Sequence, residues 1–372
     1  MAVLAGLLWS ASSKPPPSAS EAVSVVDLLG GDDDPGYQRA LPGQRPGLPA
    51  DHGPHPDFRS EWWYFTGNLS SETGRHFGFQ LTFFRFALAP QPVARASAWA
   101  TRQLWMAHLA LTDTDGRRFF SRERLARGAQ GLAGADAMPF QVWLEDWSAR
   151  SLDQAFLPLR LAAGDADFGL ELHLQPGREP VFQGDDGYSA KGPEPGNASL
   201  YYSYTRMPAA GTLRVGGERL AVTGLAWLDR EWSTSALGPN LAGWDWFSIQ
   251  LDDGSDLMFY ALRRKDGSID ALSAGTLVEP DGRIVRLGRD TVELDPGERW
   301  HSPATGAAYP VRWTLTIPSL ELELAVDPRL ESQEMDLSVR YWEGAIQVRG
   351  NRDGKPVTGG GYLEMTGYDR PQ

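Results

Sequence analysis

In the stretch WLDREWSTS, Asp229, Arg230 and Glu231 stand side by side between Trp227 and Trp232. Side chains alternate across an extended strand, so Asp229 and Glu231 share one face and Arg230 takes the other. Two carboxylates on one face beside indole rings raise each other's pKa through repulsion and lost solvation. That keeps a carboxylic acid protonated near neutral pH, where it can act as a general acid. Adding water across an unactivated alkene needs such an acid, aromatic faces for the cation, and a group that orients the water. Glu61 and Asp245 are further candidate acids, each beside an aromatic run, in HPDFRSEWWYFTGNL and GWDWFSIQL. Trp63, Tyr64, Trp232, Trp244, Trp246 and Tyr260 are candidate walls for a ligand. Arg230 is expected to tie the strand end to a neighbouring acid. A surface ion-pair cluster closing a strand is the competing reading of residues 229–231.

His108, in WMAHLALTD, is the histidine that sits inside an apolar strand, sharing a face with Met106 and Ala110. It reads either as a satisfied core histidine or as a ligand contact. No His-x-His or His-Glu-x-x-His spacing occurs, so no zinc site is expected, and no cofactor. Gly-x-Ser-x-Gly and P-loop patterns are missing, which argues against serine hydrolase and nucleotide chemistry.

Composition narrows the classes further. A net charge of -13 with no long basic run disfavours nucleic acid and anionic membrane surfaces. Cysteine is absent, which excludes disulfides, thiol catalysis and Cys-ligated metals. No apolar run reaches the roughly 18 residues of a membrane-spanning helix. Fourteen Trp and eleven Tyr suit an apolar ligand pocket, a barrel interior or a carbohydrate platform. The start, MAVLAGLLWSASS, resembles a secretory signal without its basic region, so a periplasmic or secreted location is expected.

The segments that must hold these residues read as strands. RHFGFQLTFFRFAL, FGLELHLQP, RLAVTGLAWLD, DLMFYALRRKDG and YWEGAIQVRG are aromatic or β-branched runs. Asp-Gly turns separate apolar stretches in TDTDGRRFF, RKDGSID and EPDGRIV. DAMPFQVWLEDWSARSL is ambiguous between helix and strand. An internal repeat relates Trp62–Arg85 to Trp244–Arg263, aligning Trp62 with Trp244, Tyr64 with Trp246, Phe65 with Phe247 and Leu69 with Leu251. The fold class is therefore all-β. Residues 1–50 read as a leader and poorly ordered Pro/Gly-rich arm, followed by domains at 51–232 and 233–368.

The motifs HPDFRSEWWYFTGNL, WLDREWSTS, GWDWFSIQLDDGSDLMFYALR, YWEGAIQVRG and GYLEMTGY, joined by GYSAKGPEPGNASLYYSYTRM, resemble the AttH-like proteins. These are often labelled predicted secreted hydrolases and are related to carotenoid 1,2-hydratase. The resemblance covers about residues 50–368 and implies two lipocalin-like antiparallel β-barrel domains packed together. It also implies a small hydrophobic, terpenoid- or lipid-like ligand and hydratase, lyase or isomerase chemistry. Arg230 stands where hydratases of this type carry a His, with Trp232 retained. Tyr260 matches their Tyr, but Leu262 replaces the following Asp. Those two departures favour the alternative of a non-catalytic envelope binder or chaperone accompanying an ABC-type export system. A carbohydrate-active protein is the third reading, resting on Trp content alone.

Overall fold

The aromatic run Trp62–Phe65 lies in the strand Ser60–Ser71, and both faces of that strand are covered. In the computed structural model, which describes residues 36–368 except 92–95, 236 and 239, together with 23–24, Trp63, Phe65 and Leu69 enter one core. Tyr64 points the other way, into a separate cluster between two sheets. The same division runs through the neighbouring strands. Phe77, Phe79, Leu81 and Phe83 of His76–Ala87 face the first core, while Phe86 faces the second sheet. In Gln103–Asp113, Trp105, Ala107, Leu109 and Leu111 face the core, while Met106 and Ala110 face away. Period-two patterning with both sets apolar describes strands buried on both sides.

The first sheet has thirteen strands. Its centre runs in the order Gln103–Asp113, His76–Ala87, Ser60–Ser71, Glu218–Ser233, Ala198–Val215. Beyond it, Phe168–Leu174 and Leu159–Gly164 continue towards Trp147–Ser151, Phe140–Leu144 and Ala133–Ala137. Phe140–Leu144 comes back against the strands from the opposite edge, so the sheet curls into a barrel around its core. The ambiguous stretch DAMPFQVWLEDWSARSL is thus strand throughout most of its length.

The second sheet has eleven strands. Its path runs Asp256–Arg264, Leu241–Leu251, Lys355–Met365, Val339–Arg352, Leu322–Pro328, Trp313–Ile317. Phe247, Ile249, Leu251, Phe259 and Leu363 fill its own core. Among the described residues every pairing is antiparallel except Val23–Ser24, which lies parallel to Val339–Arg340. The chain is therefore all-β, built as two lipocalin-like units in contact.

The two sheets meet closely. A Cβ at Gly78 would stand 2.3 Å from the Cβ of Ala345 on the second sheet, so only glycine fits there. Around this point Met106, Tyr201, Trp246, Met258 and Tyr362 form the seam cluster.

One expectation needs correction. Residues 36–50 do not stand away from the protein as an arm. Ala40 is buried in the first core, the Tyr37 hydroxyl donates to the Ala87 carbonyl at 2.9 Å, and Thr234 donates to the carbonyl of Gln38. Scattered apolar anchors, not periodicity, fasten this Pro-rich segment, so it carries no strand signal. The signal-like start at residues 1–13 lies outside the described residues.

Candidate functional site

Alternation along Glu218–Ser233 settles where its charged residues go. Trp227, Asp229 and Glu231 face the seam, while Arg230 and Trp232 face the interior of the first unit. Asp229 is buried and accepts hydrogen bonds from Tyr201 Oη at 2.6 Å, Ser203 Oγ at 2.6 Å and Trp227 Nε1 at 2.7 Å. Those donors favour the carboxylate. Burial outweighs them, with Glu231 adding repulsion, and pushes the Asp229 carboxyl up to about 7.

A second acid faces the same space. Glu364, in the strand Lys355–Met365, is pushed up to about 8 by burial, with the charges of Asp229 and Glu231 adding to the shift. Its single indole donor, Trp244 Nε1 at 2.9 Å, does not offset that. Asp229 pairs across its ladder with Tyr64, and Glu364 with Trp246. Because Tyr64 and Trp246 are equivalent in the internal repeat, the two acids occupy equivalent places in the two sheets.

The remaining charges are fewer than the acids require. Lys191 Nζ lies 3.5 Å from Glu231 and 3.7 Å from the centre of the Tyr260 ring. Burial would lower the Lys191 pKa, but Glu231 and Tyr260 more than compensate and hold it above its ordinary value. Glu343, beside Glu364 on the adjacent strand, accepts from the Tyr64 hydroxyl, and burial raises its carboxyl well above the usual range. Its other oxygen, Oε2, has no hydrogen-bond partner.

Asp229, Glu231, Lys191 and Glu364 line one pocket at the seam, with Glu343 behind Tyr64 and outside its lining. It encloses about 920 Å³ between its atoms, counting the part open to solvent. Trp62, Tyr64, Trp244, Trp246 and Tyr260 form aromatic walls, with Met106, Leu237 and Leu262 completing an apolar surface. Tyr64 and Trp246 meet edge to face with ring centres 5.2 Å apart. An apolar surface with a few convergent carboxyls is the lining expected of a small-molecule site.

The structure thus brings Asp229, Glu231, Tyr64, His108, Trp244, Trp246 and Tyr260 to one pocket. Glu61, Asp245, Trp63, Arg230 and Trp232 lie elsewhere. Glu61 sits between the guanidinium groups of Arg85 and Arg230 and accepts from the backbone N–H of His55. Burial works against its charge, but the two arginines win and hold the carboxyl well below the usual range. Asp245 faces the opposite side of its strand, 2.9 Å from Arg263 and from the Tyr368 hydroxyl. Neither acid reaches the pocket, so neither can act there. Trp63 donates from Nε1 to the His52 carbonyl at 2.9 Å, with Arg230 over its ring at 3.9 Å. Trp232 stacks on His55 with ring centres 3.9 Å apart. Trp63 and Tyr64 are adjacent in a strand and cannot share a wall; Trp62 takes the place expected of Trp63.

Sequence reasoning missed Trp62, Lys191, Tyr201, Tyr341, Glu343 and Glu364. Glu364 was within reach, because extending the repeat to the partner strands makes it the counterpart of Asp229. Lys191 lies in the turn-rich stretch YSAKGPEPG and carries no such signal. Among the described residues, no group of three or more His, Asp or Glu is arranged to hold a metal ion, and no helix is long and apolar enough to cross a membrane.

Two large antiparallel sheets, the first curled into a barrel, with an acidic, aromatic pocket at their contact define a double lipocalin-like fold. The chain belongs to the AttH-like family, whose profile matches residues 39–368. An AttH protein from Nitrosomonas europaea has a similar structure, with 37% identity and a TM-score of 0.79, covering 89% of this chain and 100% of that one. Kievitone hydratase from Nectria haematococca shares the fold at 16% identity and a TM-score of 0.67, covering 89% of this chain and 96% of that one. Dehydratase asqC from Emericella nidulans is 24% identical over 224 residues, 56% of this chain and 61% of the relative. The chain therefore spans about three fifths of the length of that curated relative.

Proposed function

We propose that the protein adds water to, or removes it from, a small apolar substrate held in the seam pocket. The observation that carries this reading is the pair Asp229 and Glu364, two buried carboxyls on equivalent strands, raised to about 7 and about 8 in one aromatic pocket. Both carboxyls are thus held towards the protonated form near neutral pH, Glu364 more strongly than Asp229. In the hydration direction Glu364 gives its proton to an alkene carbon as the π bond breaks. The faces of Trp62, Trp244 and Trp246 stabilise the carbocation. Asp229 then takes a proton from water as its oxygen bonds to carbon, and dehydration is the reverse. The names hydratase and dehydratase borne by two relatives agree with this chemistry.

The test is incubation with prenylated phenols, linear isoprenoid alkenes and tertiary alcohols in ¹⁸O-water. Label entering a product, and its loss in Asp229→Asn and Glu364→Gln, supports the reading. Unlabelled recovery of every compound that binds argues against it.

A second reading, a carrier without turnover, has its own observation. Leu262 lines the pocket where the related hydratases carry an acid, and Arg230, in place of their His, is turned into the first unit. A terpenoid- or lipid-like cargo, a periplasmic or secreted location and an ABC-type export partner belong with this reading. Binding that quenches Trp fluorescence with no label incorporation favours it. A carbohydrate ligand fits less well, because Met106, Leu237 and Leu262 offer no polar partners for its hydroxyls.

A further inference from the structure

One hydrogen-bonded row runs from this pocket to the protein surface, and the mechanism above does not use it. Tyr341, a pocket residue on the second sheet, holds its hydroxyl 2.6 Å from Nδ1 of His108 on the first sheet. The other ring nitrogen, Nε2, lies 2.9 Å from Oε2 of Glu123 on the neighbouring strand. His108 is fully buried, while the Glu123 carboxylate is partly exposed and also accepts from Ser338, in the bend just before the strand Val339–Arg352. Acid, imidazole and hydroxyl in sequence are the arrangement by which a histidine passes protons between two partners. Phe84 closes on the imidazole edge to face at 5.4 Å, which excludes other partners from that side.

We propose that Glu123, His108 and Tyr341 form a proton relay between solvent and the seam pocket, returning protons to the carboxyl groups there. It rests on the reading of the pocket as an acid–base site. For an inward transfer Glu123 takes a proton from water and passes it to Nε2. Nδ1 gives its own proton to the Tyr341 oxygen, and the Tyr341 O–H proton moves into the pocket. One proton enters and one arrives, leaving the imidazole in its other tautomer. An outward transfer along the same atoms restores it. A hydration cycle needs such a pair, since the acid loses a proton to carbon and water releases one to the base. The position of Tyr341 suits delivery, because it lines the same pocket as Asp229 and Glu364.

The relay is tested on the unliganded full chain by a rapid pH jump, following the infrared carboxyl band that Glu364→Gln removes. His108→Gln and Tyr341→Phe should slow protonation on the order of tenfold or more, with the final amplitude unchanged. Glu123→Gln, at the solvent end, should slow it by about threefold, since water can partly replace it. Wild-type rates in all three variants overturn the relay. A changed amplitude at an unchanged rate also overturns it, because it marks a purely structural hydrogen bond. Slowed protonation in a protein that hydrates no alkene keeps the relay and removes the function proposed above. Turnover with unslowed protonation removes the relay alone.

Discussion

Glu61 and Asp229 are both buried and lie three residues apart across the same strand pair, yet their charges are governed oppositely. Glu61 has Arg85 and Arg230 within ion-pair reach. Asp229 has three neutral donors, and the charge acting on it is that of another acid, Glu231. Burial penalises both carboxylates, so the difference comes from the partners alone. One face of the strand spends its acid on holding the first unit together; the other leaves acids able to titrate. Inside a protein, burial makes an acid expensive to ionise, and the presence or absence of a cation decides whether it becomes a strut or a reagent.

Four experiments break or sharpen that contrast. The largest effect is expected on the reagent side. Asp229→Asn or Glu364→Gln should lower turnover of any substrate found by ~10²–10⁴-fold while ligand affinity measured by fluorescence stays close to wild type. Retained turnover in both would move the chemistry away from these acids. On the strut side, Glu61→Gln strands two guanidinium groups and should cost about 3–5 kcal/mol in urea unfolding. A loss below about 1 kcal/mol would show that the arginines find other partners.

The aromatic run separates the same way. Trp63→Ala should cost ~3–5 kcal/mol of stability, with ligand binding falling only as the protein unfolds. Trp62→Ala, on the half-buried pocket side, should cost less stability and weaken binding directly. Equal stability losses, with no binding effect from Trp62→Ala, would remove Trp62 from the pocket wall.

The mildest perturbation is pH itself, and the sign of its effect differs between the clusters. Asp229 and Glu364 bind protons more tightly folded than unfolded, so stability falls as pH rises from about 4 to 8, by at most about 1.4 kcal/mol per unit for each group. Glu61 binds its proton less tightly folded, so its contribution is lost as pH drops below about 4. The double variant Asp229→Asn/Glu364→Gln should flatten the upper slope and leave the acid limb unchanged. An unaltered profile between pH 4 and 8 would mean that these carboxyls titrate normally.

Much of this was legible from period-two alternation. It separates Asp229 and Glu231 from Arg230, and the repeat aligns the walls Trp62 with Trp244 and Tyr64 with Trp246. The parity of the aromatic run was not legible. With apolar residues at every position from 62 to 65, nothing in the pattern says which pair meets a ligand and which meets the core. Glu61 and Asp245 look like pocket acids in sequence because their partners, Arg85 and Arg263, are contributed by the next strand of each hairpin. Glu343 and Glu364 stand in strands read only as motifs, and they become neighbours only through the register of those two strands. Ala40 and Tyr37 fasten the N-terminal segment through single contacts that no periodicity announces.

The equivalence of Asp229 and Glu364 has a stereochemical consequence. A cradle with matching acids on two sides offers a flat substrate nearly the same view from either direction, and so cannot by itself choose a face. The choice falls to the places where the halves differ. Ser203 stands opposite Asp229, whereas Glu343 stands opposite Glu364. Glu231, with Lys191 beside it, faces Trp62, whereas Thr366 meets Trp244 through its backbone and hydroxyl. Under the proposed chemistry, the handedness of a product would be set by Lys191 and Glu231, the charged pocket residues without a twin.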